Sequence, residues 1–236
     1  MHAREIETID AGAAYTEFLH KQVGEFKEDC LSEYVDIVSK SINPRLKKYQ
    51  DQIFEYVDLR EVDDIYGHIL KARTLKGGAI GSSKHRFQKH DILFAKIMPS
   101  LRNKKVALIT QDVTNAICST EFLVLRKKPT KEINLFYLFR ALRSDKFTQQ
   151  AVANVTGATG RQRISPTRLL QLRIPIPPPE LREKIGKAVE HEFALRTLAI
   201  EQSKRADDEA TLILGPMTLR IAAPSSKAAT RKRKSA

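Results

Sequence analysis

The chain has 236 residues, 42% of them hydrophobic and 29% charged, enough for one full-sized domain with a core plus an appendage. No run of about 18 apolar residues occurs, which excludes a conventional helical span, and the acid-bearing start MHAREIETIDAG has no apolar stretch of the kind a signal peptide needs. Lysines and arginines number 41 against 28 acids, a net charge of +13, and such a balance points to a polyanionic partner.

Residues 1–29 read as an N-terminal extension expected to be helical: Ala14, Phe18, Leu19 or Gln22, and Phe26 fall loosely at helical spacing. A globular domain is expected over residues 30–179. Its first segment, 31–40, reads as a short helix or a strand that buries Leu31, Val35 and Val38. Residues 41–44 form a turn, and residues 53–59 alternate like a half-buried strand. Cys30 and Cys118 read as core or half-buried thiols of a reducing cytoplasm.

Between residues 71 and 105 ten basic residues stand against the single acid Asp91. Charge so concentrated on a folded segment is expected of a polyanion-binding surface; the plainer alternative is a solvated basic face. Within it, Ile92-Leu93-Phe94 reads as a buried strand, and Pro99 opens a loop presenting Arg102, Lys104 and Lys105. Lys96 at the strand's end either packs its stem there or reaches a phosphate. Further strands are expected at 107–110 and 121–125 around a loop at 114–120. Residues 135–142 form a buried helix with Leu135, Leu138, Phe139 and Leu142 on one face, and 147–155 continue it. Phe136 and Tyr137 are core residues on this reading and not stacking platforms.

A loop of glycine and threonine, 157–160, leads into Arg161-Gln162-Arg163. Ser165 then caps a short helical turn with Pro166 at its first position. Residues 172–176 make an edge strand, since proline cannot donate to a ladder, and Pro177 to Pro179 form a rigid hinge. A long helix follows from Leu181, over 180–214. Its 3–4 repeat picks out Leu181, Ile185, Ala188, Glu192, Leu195, Ala199, Gln202, Ala206, Glu209 and Ile213, a coiled-coil-type seam with small knobs. Residues 215–236 read as a disordered basic arm adding salt-dependent, non-specific DNA affinity.

Two ordered motifs carry a family resemblance. The succession from Gly157 through Ile164-Ser165, a Leu-rich turn and Leu172-Arg173-Ile174-Pro175-Ile176-Pro177-Pro178 into a helix resembles the end of a target-recognition domain in specificity (S) subunits of type I restriction–modification systems. Phe87, Asp91, Ile92, Leu93, Phe94, Lys96, Ile97 and Pro99 stand at matching places of the same family's F-x-x-G-D-I-L-(F/Y)-x-K-I-x-P pattern, with His90 where glycine is usual. The stretch 118–122 is similar to its S-T-x-F-x-V-L, and Leu31, Glu33, Ile37, Pro44, Tyr56, Val57 and Leu59 match it more loosely.

The resemblance implies an α+β fold: a mixed-sheet target-recognition domain followed by a coiled-coil-type spacer helix. It further implies a cytoplasmic, non-catalytic subunit that binds double-stranded DNA sequence-specifically and directs a modification subunit and a restriction/translocase subunit. S-adenosylmethionine then belongs to the modification subunit, and this chain carries no cofactor. Family members usually hold two recognition domains and two spacer helices. One of each implies a half-subunit that homodimerises through its C-terminal helix on a palindromic target, or a truncated or split gene.

Base readout would fall to Arg102, Asn103, Arg161, Gln162 and Arg163, because arginine suits guanine, and asparagine and glutamine suit adenine. Phosphates would fall to Lys71, Arg73, Lys76, Lys84, Arg86, Lys96, Lys104 and Lys105. The glycine cluster at 77–81 fits no nucleotide-binding spacing, no (N/D)PP(Y/F) occurs, and the histidines show no metal spacing. Two alternatives stand beside this reading: a detached recognition module of a combined restriction–methylation enzyme, and a basic RNA-associated protein, which the scarcity of exposed aromatics disfavours.

Overall fold

The computed structural model describes residues 26–38 and 40–214; most of the expected N-terminal helix and the whole basic arm lie outside the described residues. The chain divides into two units, one up to His191 and one from Glu192. In chain order the elements are β1 (Glu28–Cys30), β2 (Val35–Ile37), β3 (Ser41–Ile42), β4 (Ile53–Val57), β5 (Arg73–Lys76), β6 (Lys84–Arg86), β7 (Asp91–Ala95) and β8 (Val106–Leu108). There follow β9 (Ala116–Cys118), β10 (Phe122–Lys127), α1 (Leu135–Leu142), α2 (Asp145–Ala153), α3 (Pro166–Gln171), β11 (Arg173–Pro175) and α4 (Pro179–Leu214). The class is α+β.

Strand β7 is buried at every residue because both of its faces are covered, which is why its sequence reads as a continuous apolar run. It pairs antiparallel with β8 and β10 in a four-stranded sheet of order β2-β10-β7-β8. One face meets a five-stranded sheet, β3-β6-β9-β4-β5, across a core of Val57, Leu93, Ala107, Cys118, Phe122 and Val124. Its other face meets the helices, with Phe94 and Phe147 edge to face at 6.0 Å. Register in the four-stranded sheet is fixed by charge as well as by burial. Asp91 lies directly opposite Arg126, fully buried, and accepts from Arg126 Nε at 2.7 Å and Nη2 at 2.8 Å.

Asp91 also accepts from the backbone of Gln88, closing the turn in which His90 adopts φ 70. The family's glycine position is thus a left-handed one, and histidine occupies it. The outer face of the five-stranded sheet carries a smaller cluster of Ile42, Phe54, Tyr56, Ile80 and Ile117. Gly77 belongs to the wall beneath it: a Cβ there would overlap the carbonyl oxygen of Tyr49. Of the glycines at 77–81, Gly77 alone is demanded by packing, since nothing lies within 4 Å of a Cβ at Gly81.

Several expectations are corrected in detail. The expected loop at 114–120 contains β9, which makes with β4 the only parallel pair among the described strands. The stretch 147–155 does not continue α1: Ser144 caps a new helix by accepting from Phe147 N. Residues 173–175 pair with β1 in a separate two-stranded ribbon. Helix α4 starts at Pro179, with Pro178 O accepting from Leu181 N and Arg182 N; proline suits the first helical position. The cap at Ser165 forms as expected, accepting from Arg168 N at 3.3 Å. Cys118 is fully buried and Cys30 half-buried, both free thiols. Among the described residues no helix is long and apolar enough to cross a membrane.

Candidate nucleic-acid interface

Two loops meet at their roots. The first follows β7: Leu101 N, Asn103 N and Lys105 N donate to Ile97 O, Pro99 O and Ser100 O at 2.9, 3.0 and 3.0 Å, a nearly helical coil anchored by the buried Leu101. Its tip is Arg102 and Asn103, both exposed. The second loop is closed by Thr156 and Arg163, which exchange two backbone hydrogen bonds of 2.9 Å. Gly157 and Gly160 stand at φ 118 and 79, conformations that glycine takes without strain. The loops join where Met98 N donates to Gln162 O at 3.0 Å and Ile164 N to Lys96 O at 2.9 Å.

Arg102, Asn103, Arg161 and Gln162 have no side-chain hydrogen bond or ion pair among the described residues, and the same holds for Lys71, Lys76 and Lys96. The two loops therefore bring four of the five base-readout candidates together with uncommitted polar ends. Arg163 differs. Its guanidinium grips Glu121 through Nε–Oε2 at 2.9 Å and Nη2–Oε1 at 2.7 Å, and Nη1 donates back to Arg161 O at 3.0 Å. The planar fork matches the carboxylate, so Arg163 braces the loop that carries Arg161 and Gln162. These hydrogen bonds hold the Glu121 carboxyl below its ordinary range, with Lys96 adding to the effect and burial opposing it.

The phosphate candidates separate in the same way. Lys105 Nζ turns inward to Leu59 O at 2.8 Å and Val62 O at 2.9 Å. Lys104 pairs with Asp145 at 2.6 Å. Lys84 is only 6% exposed and donates to Ser82 O, Ser82 Oγ and Ser83 O, and burial pushes its pKa down. Arg73 pairs with Glu61 at 3.0 Å and covers the Tyr56 ring at 4.6 Å; Arg86 covers Phe54 at 6.0 Å. Arg73, Lys84 and Arg86 thus form a cationic lid on the outer aromatic cluster. Lys71, Lys76 and Lys96 remain as cations without such a commitment.

Residues that sequence reasoning passed over hold the first loop. Arg143, 5% exposed at the end of α1, donates through Nη1 to Lys104 O and Val106 O at 2.6 and 3.1 Å. Through Nη2 it donates to Asp64 O and Ile65 O at 2.8 and 2.7 Å. Gly67 admits this clamp, because a Cβ there would overlap Val106 O. Glu121 is the matching organiser of the second loop. Neither carries a sequence signal, since the partners lie 42 residues apart for Glu121 and up to 79 for Arg143. Lys47 and Lys48 lie on the turn whose Tyr49 carbonyl meets Gly77. Among the described residues no group of three His, Cys, Asp or Glu side chains is placed to hold a metal ion.

The fold has known relatives. Residues 24–207 match the model of the type I restriction modification DNA specificity domain. The chain is 30% identical over 122 residues to the type I restriction enzyme EcoDI specificity subunit of Escherichia coli, covering 52% of this chain and 25% of that protein. Among solved structures it is similar to a chain from a study of complex assembly and conformational transition in a type I R-M system (TM-score 0.58, 24% identity, 86% of this chain and 52% of that one). It is also similar to the HsdS subunit from Thermoanaerobacter tengcongensis (TM-score 0.56, 24% identity, 81% and 47%). The chain therefore spans a quarter of the curated relative's length and about half of the solved chains.

Proposed function

Because the chain belongs to the type I restriction modification DNA specificity domain family, we propose that it binds double-stranded DNA sequence-specifically and directs a modification subunit to its target. The observation that supports this best is the pair of joined loops, whose exposed tips hold Arg102, Asn103 and Arg161, with Gln162 half-exposed beside them, all with side chains that have no hydrogen-bond or ion-pair partner among the described residues. Arginine offers two parallel donors to guanine O6 and N7, and the amides of Asn103 and Gln162 offer the donor–acceptor pair that adenine N6 and N7 match. Lys71, Lys76 and Lys96 supply phosphate contacts that fix register, with Lys104 and Lys105 shaping the loop from within.

In this reading the chain does no bond chemistry. S-adenosylmethionine sits on the modification subunit, and a restriction/translocase subunit completes the assembly. Helix α4 serves as spacer, and its exposed Leu195 and Leu198 offer a seam for a second copy, which yields a palindromic target.

Selection from random-sequence DNA tests the reading. The wild-type chain should enrich a defined sequence, and Arg102→Ala with Arg161→Ala should retain non-specific binding while flattening that preference. Lys71→Ala with Lys76→Ala should leave the preferred sequence unchanged and reduce the salt slope by about 0.9 for each phosphate no longer neutralised. Enrichment of no sequence by the wild type, or an unchanged preference in the arginine variant, would sink the assignment. Light scattering on the same protein should give a dimer mass, and a monomer with Leu195→Glu and Leu198→Glu.

A further inference from the structure

Residues 61–70 form a short hairpin beside the first loop. Val62 bridges Ile69, Leu70 N donates to Glu61 O at 2.8 Å, and Asp63 N donates to His68 O at 2.9 Å. The turn closes on Asp63, whose carbonyl accepts from Gly67 N at 3.1 Å. Its carboxylate accepts from Ile65 N and Tyr66 N at 3.0 and 3.2 Å. A stem held this closely still presents apolar side chains to solvent: Ile65 is 67% exposed, Leu70 60% and Tyr66 39%. Single exposed apolar residues are ordinary; three gathered on one hairpin mark a contact surface.

The hairpin shares its supports with the first loop. Arg143 Nη2 donates to Asp64 O and Ile65 O, while Nη1 of the same guanidinium donates to Lys104 O and Val106 O. Lys105 Nζ reaches Leu59 O and Val62 O at the hairpin's foot. The tip therefore stands next to the loop that carries Arg102 and Asn103, and the exposed Lys71 follows it directly. At the foot, Glu61 is buried against Arg73, and Arg60 beside it is exposed. The charges on the tip itself are negative. Asp63 is occupied by its two backbone donors, and Asp64 is exposed with no side-chain partner among the described residues. An aliphatic side chain and a free carboxylate have nothing to offer a phosphate. Base edges suit both, since thymine displays its 5-methyl group in the major groove and cytosine N4 donates to a carboxylate.

We propose that this hairpin is a third readout element, in which Ile65 packs on a thymine methyl and Asp64 accepts from a cytosine amine, next to the bases met by Arg102 and Asn103. The inference rests on the DNA-binding reading and extends it from purines to pyrimidines. The anchored backbone spares the tip the ordering cost that a free loop incurs on binding.

The test is selection from random-sequence DNA by the full chain, repeated for Ile65→Ala and Asp64→Ala. Both side chains are exposed, so thermal melts should match the wild type. Ile65→Ala should lose a preference for thymine at one position and Asp64→Ala a preference for cytosine at another, the remaining positions staying as they were. Deoxyuridine in place of that thymidine deletes only the methyl group. It should weaken wild-type binding about fourfold, the worth of one buried methyl, and should not weaken binding by Ile65→Ala. An unchanged preference in either variant, or an equal deoxyuridine penalty in wild type and Ile65→Ala, would overturn the inference. DNA readout itself would then still stand on the flattening expected of Arg102→Ala with Arg161→Ala. Enrichment of no sequence by the wild type would overturn both.

Discussion

Arg163 and Glu121 show how a basic side chain on an exposed loop can be committed to its own chain. The bidentate pair ties the second loop to the corner before β10, and the depressed Glu121 carboxyl fixes the pH sign. A carboxyl with a lowered folded pKa adds stability above its unfolded pKa and loses it as pH falls through the folded value. Thermal melts from about pH 7 down to about pH 3 should therefore show a shallower acid-side loss in Glu121→Gln than in the wild type; equal slopes would remove the pair from the account. Both partners are partly exposed, so the neutral-pH cost is about 1 kcal/mol. His90 provides a second single-site prediction. Its φ of 70 strains a side chain bearing a Cβ, so His90→Gly should stabilise the fold by about 1 kcal/mol, read from the urea midpoint.

Helices α1 and α4 approach closely because Gly186 has no side chain. A Cβ there would overlap the Oδ1 of Asn134, whose side chain caps α1 by accepting from Phe136 N and Tyr137 N at 2.9 and 3.1 Å. The same amide donates to Glu183 Oε2 at 3.0 Å. Gly186→Ala should cost about 2 kcal/mol through this collision. Asn134→Gly alone should cost a few tenths, since glycine is a tolerable cap. Added to Gly186→Ala, it should recover more than about 1 kcal/mol in a double-mutant cycle; strict additivity would mean that the two residues do not collide. The cap at Ser165 was legible because it is local, five residues of one turn. The break at Ser144 was hidden because apolar spacing does not mark it; the hydroxyl cap that starts α2 does.

The same contrast between local and distant explains what could be read of the molecule as a whole. Strand β7, helix α1 and the long α4 announce themselves by period and burial. Strand β9 does not, because three residues whose pairing with β4 spans 61 positions, as at Glu55 and Ala116, leave no pattern of their own. Lysine counts located the basic segment, yet they could not tell that Lys105 turns inward to carbonyls more than 40 residues away or that Lys84 is buried over the Tyr56 ring, since tertiary packing decides both. Arg143 is the extreme case: it joins residues 64–65, 104–106 and α1 into one body. Arg143→Met should cost about 2–3 kcal/mol in urea unfolding by leaving the buried Val106 carbonyl and the part-buried carbonyls of Lys104, Asp64 and Ile65 without this donor. Arg143→Lys should recover less than half of that, because an ammonium lacks the planar fork; full recovery would reduce the clamp to a simple charge effect. What Arg143 grips are main-chain oxygens, which every amino acid possesses. The tip of the first loop can therefore be rewritten, residue by residue, without loosening its anchorage. One frame can carry many different tips, with novelty confined to a few solvent-facing positions.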